Sequence, residues 1–154
     1  TLTVPSNYQT HIDTAQILKS QLEKIGVTVE IQLVEWAQWL ENVYNNAQYE
    51  STVIGHSGKL DPQDFLNRFT TTYEKNYFKY SNEEYDAKIA EAASVTDETK
   101  RAEIYKECQQ KLADDAASVF IQDPSINYAV RNTITGMQIY PVTFFDMGSL
   151  RMAE

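Results

Sequence analysis

The chain has 154 residues, 42% of them hydrophobic and 12% aromatic, so it can bury a real core and is not a disordered composition. Its 22 acidic residues against 13 basic ones leave a formal net charge of −9, which argues against a nucleic-acid binder and against an anionic membrane surface, since both need clustered Lys and Arg. The single cysteine, Cys108, excludes an intramolecular disulfide and any Cys-rich metal site.

Residues 1–4 alternate Thr, Leu, Thr, Val, which predicts a short strand closed by Pro5. Without an initiating Met or an export signal ahead of that strand, the start reads as a cut edge. From about Thr10 to Ile25 the apolar positions Ala15, Leu18, Leu22 and Ile25 make one helical stripe, and Gly26 sits where a helix usually turns left-handed and stops. In VTVEIQLV, Val27, Val29, Ile31 and Leu33 alternate with polar residues, the cleanest strand signal in the chain. Trp36, Trp39, Leu40, Val43 and Tyr44 then repeat at helical spacing, with Asn45-Asn46 as the stop. Tyr49–Gly55 is a third, more apolar strand. This β-α-β-α-β order predicts an α/β fold with helices packed on a mixed sheet, followed by further helices.

The third strand runs into IGHSGKLDPQDF. Asp61 can cap the next helix, Pro62 can occupy its first position, Asp64 suits the dipole, and Phe65, Leu66 and Phe69 supply an apolar face. Ligands of open α/β sheets gather outside the carboxyl ends of strands, beside helix N-termini, so the turn from Gly55 to Asp61 is a place to look for binding. A Thr- and Tyr-rich loop follows to Tyr80. Ser81 and Glu84 have the spacing of a capping box for a helix through Tyr85, Ile89 and Ala92. Asp97 caps another, with Tyr105, Cys108 and Leu112 inward and Glu98, Lys100, Arg101, Glu103, Lys106 and Glu107 as a solvated outer face. Ser118–Gln122 and Ile126–Arg131 look like strands on either side of Asp123-Pro124-Ser125. The apolar tail beyond Asn132 has no clear period and is expected to pack on something.

Catalytic signatures are missing. There is no G-x-G-x-x-G, no G-x-x-x-x-G-K-[ST] and no G-x-S-x-G. The two histidines, His11 and His56, lie far apart, and no carboxylates are singled out to complete a metal site with them. Pairs such as Asp114-Asp115 and Glu83-Glu84 sit in helical, solvated contexts. Neither cofactor, metal nor catalytic residue is expected.

The order of pieces is where a family becomes visible. QLEKIGV, the G…DP turn, YSNEEYDAKI and a helix carrying Lys100, Arg101, Glu103, Tyr105, Gln109 and Leu112 follow one another over residues 2–136. In that order they resemble the second lobe of the extracellular solute-binding proteins of ABC importers, the group that handles oligopeptides, dipeptides and nickel. The resemblance implies a two-lobed protein that closes on its ligand like a clamp. In it, residues 1–136 would be the second lobe and 137–154 would cross back to the first. The implied partners are a small solute such as a peptide, the membrane permease of an ABC importer and the missing first lobe, at an extracellular face or in a periplasm, lipid-anchored or free. No nucleic acid is implied.

Peptide-binding relatives carry an aromatic just after the Gly of this turn and, about four positions before the Pro, an acidic residue that pairs with the ligand's amino group. Here His56 stands in the aromatic's place, Gly58 lies four before Pro62, Lys59 follows it, and the loop is one residue shorter. A carboxylate facing an ammonium in a desolvated cleft contributes on the order of 2–5 kcal/mol, and Lys in its place reverses the charge preference. The resemblance therefore assigns ligand binding to His56, Ser57, Gly58, Lys59 and Leu60, with a peptide or a neutral or anionic solute such as a sugar as the ligand. Two other readings stand beside this one. A small acidic α/β hydrolase or transferase would need two carboxylates of perturbed acidity in one pocket. A protein-interaction module would show one contiguous exposed apolar patch.

Overall fold

A computed structural model describes residues 1–142 and 144–153. They fall into two compact units, one built from Thr1–His56 with Arg68–Asp86, the other from Ser57–Asn67 with the chain from Ala87 onward.

The first unit is a small α/β layer. Strand β1 (Leu2–Pro5) is central, helix α1 (Gln9–Glu23) follows it, and β2 (Ile31–Val34) lies on one side of β1. A short α-helix, α2 (Trp36–Trp39), runs on into a π-helical turn at Leu40–Asn45, and β3 (Ser51–Thr52) lies on the other side of β1. Both pairings are parallel, Leu2 standing opposite Ile31 on one flank and Ser51 on the other. Parallel strands connected through helices are buried on both faces, and the two faces here differ in character. Leu2, Val4, Val29 and Val53 pack with Ala15, Ile12, Leu18 and Leu22 of α1, an aliphatic layer. The opposite face is aromatic: Val34, Trp39, Val43 and Tyr77 are buried, with Trp36, Tyr44, Tyr49 and Phe78 against them. The indole N–H of Trp39 donates to Thr52 Oγ1 at 2.9 Å, and that hydroxyl donates to Thr3 O at 2.7 Å, tying helix to sheet.

Helix α1 ends as its sequence predicts. Gly26 has φ of +83°, Val27 N–H donates to Leu22 O and Gly26 N–H to Glu23 O, the paired bonds of a left-handed glycine stop. Ile25 was expected on the inward stripe, but it falls inside this stop and is 74% exposed. Leu33 lies on β2, an edge strand, and is likewise exposed. The second predicted helix widens after Trp39, so its 3.6-residue spacing describes only its first turn.

The second unit is mainly helical. Helix α3 (Pro62–Leu66) is followed by a 3₁₀ turn at Asn67–Phe69; that turn from Arg68 on, and the start of α4 (Glu83–Ser94), belong to the first unit. Asn82, not Ser81, caps α4: its amide oxygen accepts from the N–H groups of Glu84 and Tyr85, while the Ser81 hydroxyl meets that of Thr71. The capping-box spacing is thus shifted by one residue, because Asn accepts at a helix start at least as well as Ser. Helix α5 (Glu98–Asp114) is capped by Asp97, which accepts from Lys100 N–H at 2.9 Å, and buries Ile104, Tyr105, Cys108 and Leu112.

Ser118–Gln122 and Ile126–Arg131 form no ladder among the described residues. Phe120 instead lines an apolar cavity of about 440 Å³ with Pro62, Phe65, Leu66 and Leu112. The pairing that does form is β4 (Ile134–Thr135) with β5 (Arg151–Met152), antiparallel. Gly136 makes it possible: its φ is +81°, and a β-carbon there would lie 2.2 Å from Ser149 O. Of the segment 137–154, Thr143 and Glu154 lie outside the described residues.

Candidate ligand site

All three strands of the first unit point their carboxyl ends the same way, so the residues that follow them collect along one edge. After β1 come Ser6–Tyr8, after β2 Glu35 and Trp36, and after β3 Ile54–His56. Tyr8, 40% exposed, meets the half-buried Trp36 edge-on with ring centroids 5.5 Å apart, and leans on His11 at 5.0 Å. Trp36 stacks on Trp39, 5.3 Å away and within 5° of parallel. The His11 ring reaches the end of the third strand, since a β-carbon at Gly55 would lie 3.2 Å from His11 Nε2. His11 Nδ1 is buried without a hydrogen-bond partner, and burial lowers the pKa of the ring. Aromatic rings with polar edges offer both apolar contact and hydrogen bonding along this rim.

His56 extends this edge. The residue is exposed overall, yet its Nε2 lies 2.7 Å from Tyr77 Oη and its ring leans on Tyr77 and Phe78. Burial of the ring, and then the positive charge of Arg68, push its pKa down to about 4, so His56 is neutral at physiological pH. Tyr77 is itself fixed: Tyr49 Oη donates to Tyr77 O at 2.6 Å, and the buried phenol is pushed above its ordinary pKa.

The unit boundary falls between His56 and Ser57. In the second unit Ser57, Gly58, Lys59 and Leu60 form an exposed turn, with Leu60 at 77% exposure. None of the ion pairs among the described residues involves Lys59. Asp61 closes the turn as a cap, its Oδ1 accepting from Gln63 N–H at 2.9 Å. Its other oxygen accepts from Arg101 Nη2 at 2.6 Å. The cap bond, and next the Arg101 bond, hold this carboxyl below its ordinary pKa. Arg101 was expected on the solvated face of α5; it is half-buried and committed to Asp61. Helix α3 has only five residues and its cap is taken, so its start is no open anion site.

The strand-end rule, applied only to the third strand, singles out His56 and its turn; Trp36 reads as part of a helical stripe, and Tyr8, His11 and Tyr77 are not assigned to a site. The signal for Tyr8, His11 and Trp36 was present: each lies within a few residues of a strand's carboxyl end, and the rule applied to the third strand holds for the first two. Among the described residues, no group of three or more His, Cys, Asp or Glu is placed to hold a metal ion, and no helix is long and apolar enough to cross a membrane.

The family described as bacterial extracellular solute-binding proteins, family 5 Middle, matches residues 1–77. The oligopeptide-binding protein AppA of Bacillus subtilis (strain 168) is 29% identical over 132 residues, which are 84% of this chain and 24% of AppA. The dipeptide-binding protein of Escherichia coli (strain K12) is 25% identical over 136 residues, 83% of this chain and 25% of that protein. Among solved structures, B. subtilis AppA in complex with a nonapeptide superposes with a TM-score of 0.84 at 25% identity, covering 99% of this chain and 31% of that one. A periplasmic oligopeptide-binding protein from Borrelia burgdorferi gives 0.81 at 26% identity, with coverages of 98% and 31%. The chain spans less than a third of the length of each of these relatives.

Proposed function

The chain belongs to the bacterial extracellular solute-binding proteins of family 5, and from that premise we propose that it is the second lobe of a two-lobed, non-catalytic capture protein that delivers a small solute to the permease of an ABC importer. The observation that carries this is the carboxyl edge of the parallel sheet, where Tyr8, Trp36 and His56 follow three different strands. Side chains gathered on one edge of a rigid layer suit capture between two jaws, and the first lobe would supply the other jaw. Residues 1–136 make up this lobe, and 137–154 cross back to the first. The compartment is the extracellular face or the periplasm.

Peptide is the solute class we favour, because AppA and the dipeptide-binding protein bear that function in their names. Within that class, Lys59 favours a ligand whose near end is neutral or anionic. His56 adds no charge at physiological pH; it offers a polar aromatic face. Free-amine and amino-blocked peptides separate the alternatives. Calorimetric titration of the two-lobed protein with trialanine and with N-acetyl-trialanine is expected to show binding, tighter for the blocked form. No binding of either, or a native reading frame that holds no partner lobe, overturns the proposal.

A further inference from the structure

The turn Ser57–Leu60 has no regular structure, yet its exit is tied into a closed set of contacts that reaches 40 residues ahead in the sequence. Asp61 accepts from Gln63 N–H with one oxygen and from Arg101 with the other. The Arg101 guanidinium lies over the Tyr105 ring, 5.2 Å from its centroid. The Tyr105 hydroxyl donates to Gln63 Oε1 at 2.8 Å, and Gln63 Nε2 donates to Asn67 Oδ1 and Ile89 O at 3.2 Å each. The circuit therefore runs Asp61, Arg101, Tyr105, Gln63 and back to Asp61. All of these groups belong to the second unit, as does the turn they close.

An isolated surface ion pair fixes little, because two long side chains lose as much freedom as the charges gain. Here that freedom is already spent. Tyr105 is 5% exposed on the inner side of α5, and its ring pre-orients the planar guanidinium above it. The Asp61 carboxylate is likewise oriented by its role as a helix cap.

We infer that Arg101 is a positioning residue: through Asp61 it pins the exit of the Ser57–Leu60 turn and holds that turn in one conformation. Its bearing on capture rests on the function proposed above, while the pinning itself does not. The side chain touches no ligand in this role. It keeps the turn that carries Lys59 ordered, so that binding does not first have to order it.

Backbone ¹⁵N relaxation on the 154-residue chain tests this, comparing wild type with Arg101→Met, Arg101→Lys, Asp61→Asn and the Met/Asn double variant. Asn caps a helix about as well as Asp, so Asp61→Asn removes the ion pair and keeps the cap. Order parameters at Ser57, Gly58, Lys59 and Leu60 are expected to fall from about 0.85 to below about 0.6 in Arg101→Met and Asp61→Asn. The double variant should fall no further, Arg101→Lys should retain part of the order, and amides of α1 and β1 should not change. Unchanged values at 57–60, or an equal drop throughout the chain, overturns the inference. Should Arg101→Met fail to fold, Asp61→Asn alone decides. A wild-type protein that binds no peptide while the turn loosens as described counts against the capture function and leaves the pinning intact.

Discussion

His56 Nε2 lies 2.7 Å from the hydroxyl of Tyr77, a buried phenol 21 residues further along the chain. A ring in this position takes up a proton less readily when folded than when unfolded. Folding therefore loses stability as pH falls from about 6.5 toward 4, and keeps the full benefit above that window. The ring is partly open to solvent, so the loss is smaller than a full burial would bring. An NMR titration of the His56 ring should give a midpoint near 4, and Arg68→Met, which removes the positive charge that adds to the effect of burial, should raise it. A wild-type midpoint at 6.5 would mean that the ring is not held against Tyr77.

The two tryptophans should separate cleanly. Trp39 is 2% exposed and hydrogen-bonds Thr52, so Trp39→Ala removes a core side chain and a sheet contact, with an expected loss of about 3–5 kcal/mol. Trp36 is half-buried on the rim. Trp36→Ala should lower the melting temperature far less and weaken peptide binding more. Thermal melts paired with calorimetry read both, and equal melting losses would place Trp36 in the core instead.

Lys59→Asp restores an acid beside the turn and should invert the ligand preference, so that trialanine binds more tightly than its N-acetylated form. The comparison of the two peptides within one variant cancels any general damage. An unchanged ratio would show that Lys59 points away from the ligand.

Gly26 and Gly136 both need positive φ, and they should respond differently to Ala. Open space surrounds Gly26, so Gly26→Ala is expected to cost only the strain of a left-handed backbone, about 1–2 kcal/mol. At Gly136 the new methyl would meet Ser149 O, a backbone atom that cannot step aside. Gly136→Ala should detach β4 from β5, seen as faster amide exchange at Ala153, whose N–H donates to Thr133 O. Denaturant melts and hydrogen exchange distinguish the two outcomes.

Cys108 is fully buried, and burial pushes its thiol up to about 11. A disulfide reagent should therefore label it only after unfolding, which makes the single thiol a clean reporter of stability. Rapid labelling of the native chain would contradict this packing.

Much of the architecture was legible because short-range rules suffice for it. Gly26 ends α1, Asp61 and Asp97 cap their helices, and the alternation around Ile31 makes a strand, each from chemistry within a few residues. What sequence spacing missed depends on partners far along the chain. Tyr77 sits in a loop whose composition suggests exposure, and only Trp39, Tyr44, Tyr49 and His56 around it make it core. Arg101 falls on the charged face of α5 by period, and its contacts with Asp61, 40 residues away, and with the Tyr105 ring explain why it is half-buried. Val119, Ile121, Ile126 and Val130 have strand-forming side chains but remain exposed, since β propensity needs a neighbouring strand to take effect. For the site, the turn after β3 stood out because glycine, proline and charge punctuate it. The rims after β1 and β2 lack glycine, and Pro5 reads only as the end of a strand.

The wide turn at Leu40–Asn45 has a consequence for comparing homologous chains. It accommodates one residue more than an α-helix of equal rise, and a helix advances about 100° per residue. Deleting a single residue ahead of Tyr44 is therefore absorbed by tightening to an ordinary α-helical turn, which leaves Trp36 and Trp39 where they are and keeps an aromatic ring near the 5.3 Å approach to Tyr77. The wide turn thus acts as a buffer for chain length, letting the aromatic support behind Tyr77, and through it His56, survive a one-residue change in the helix that carries it.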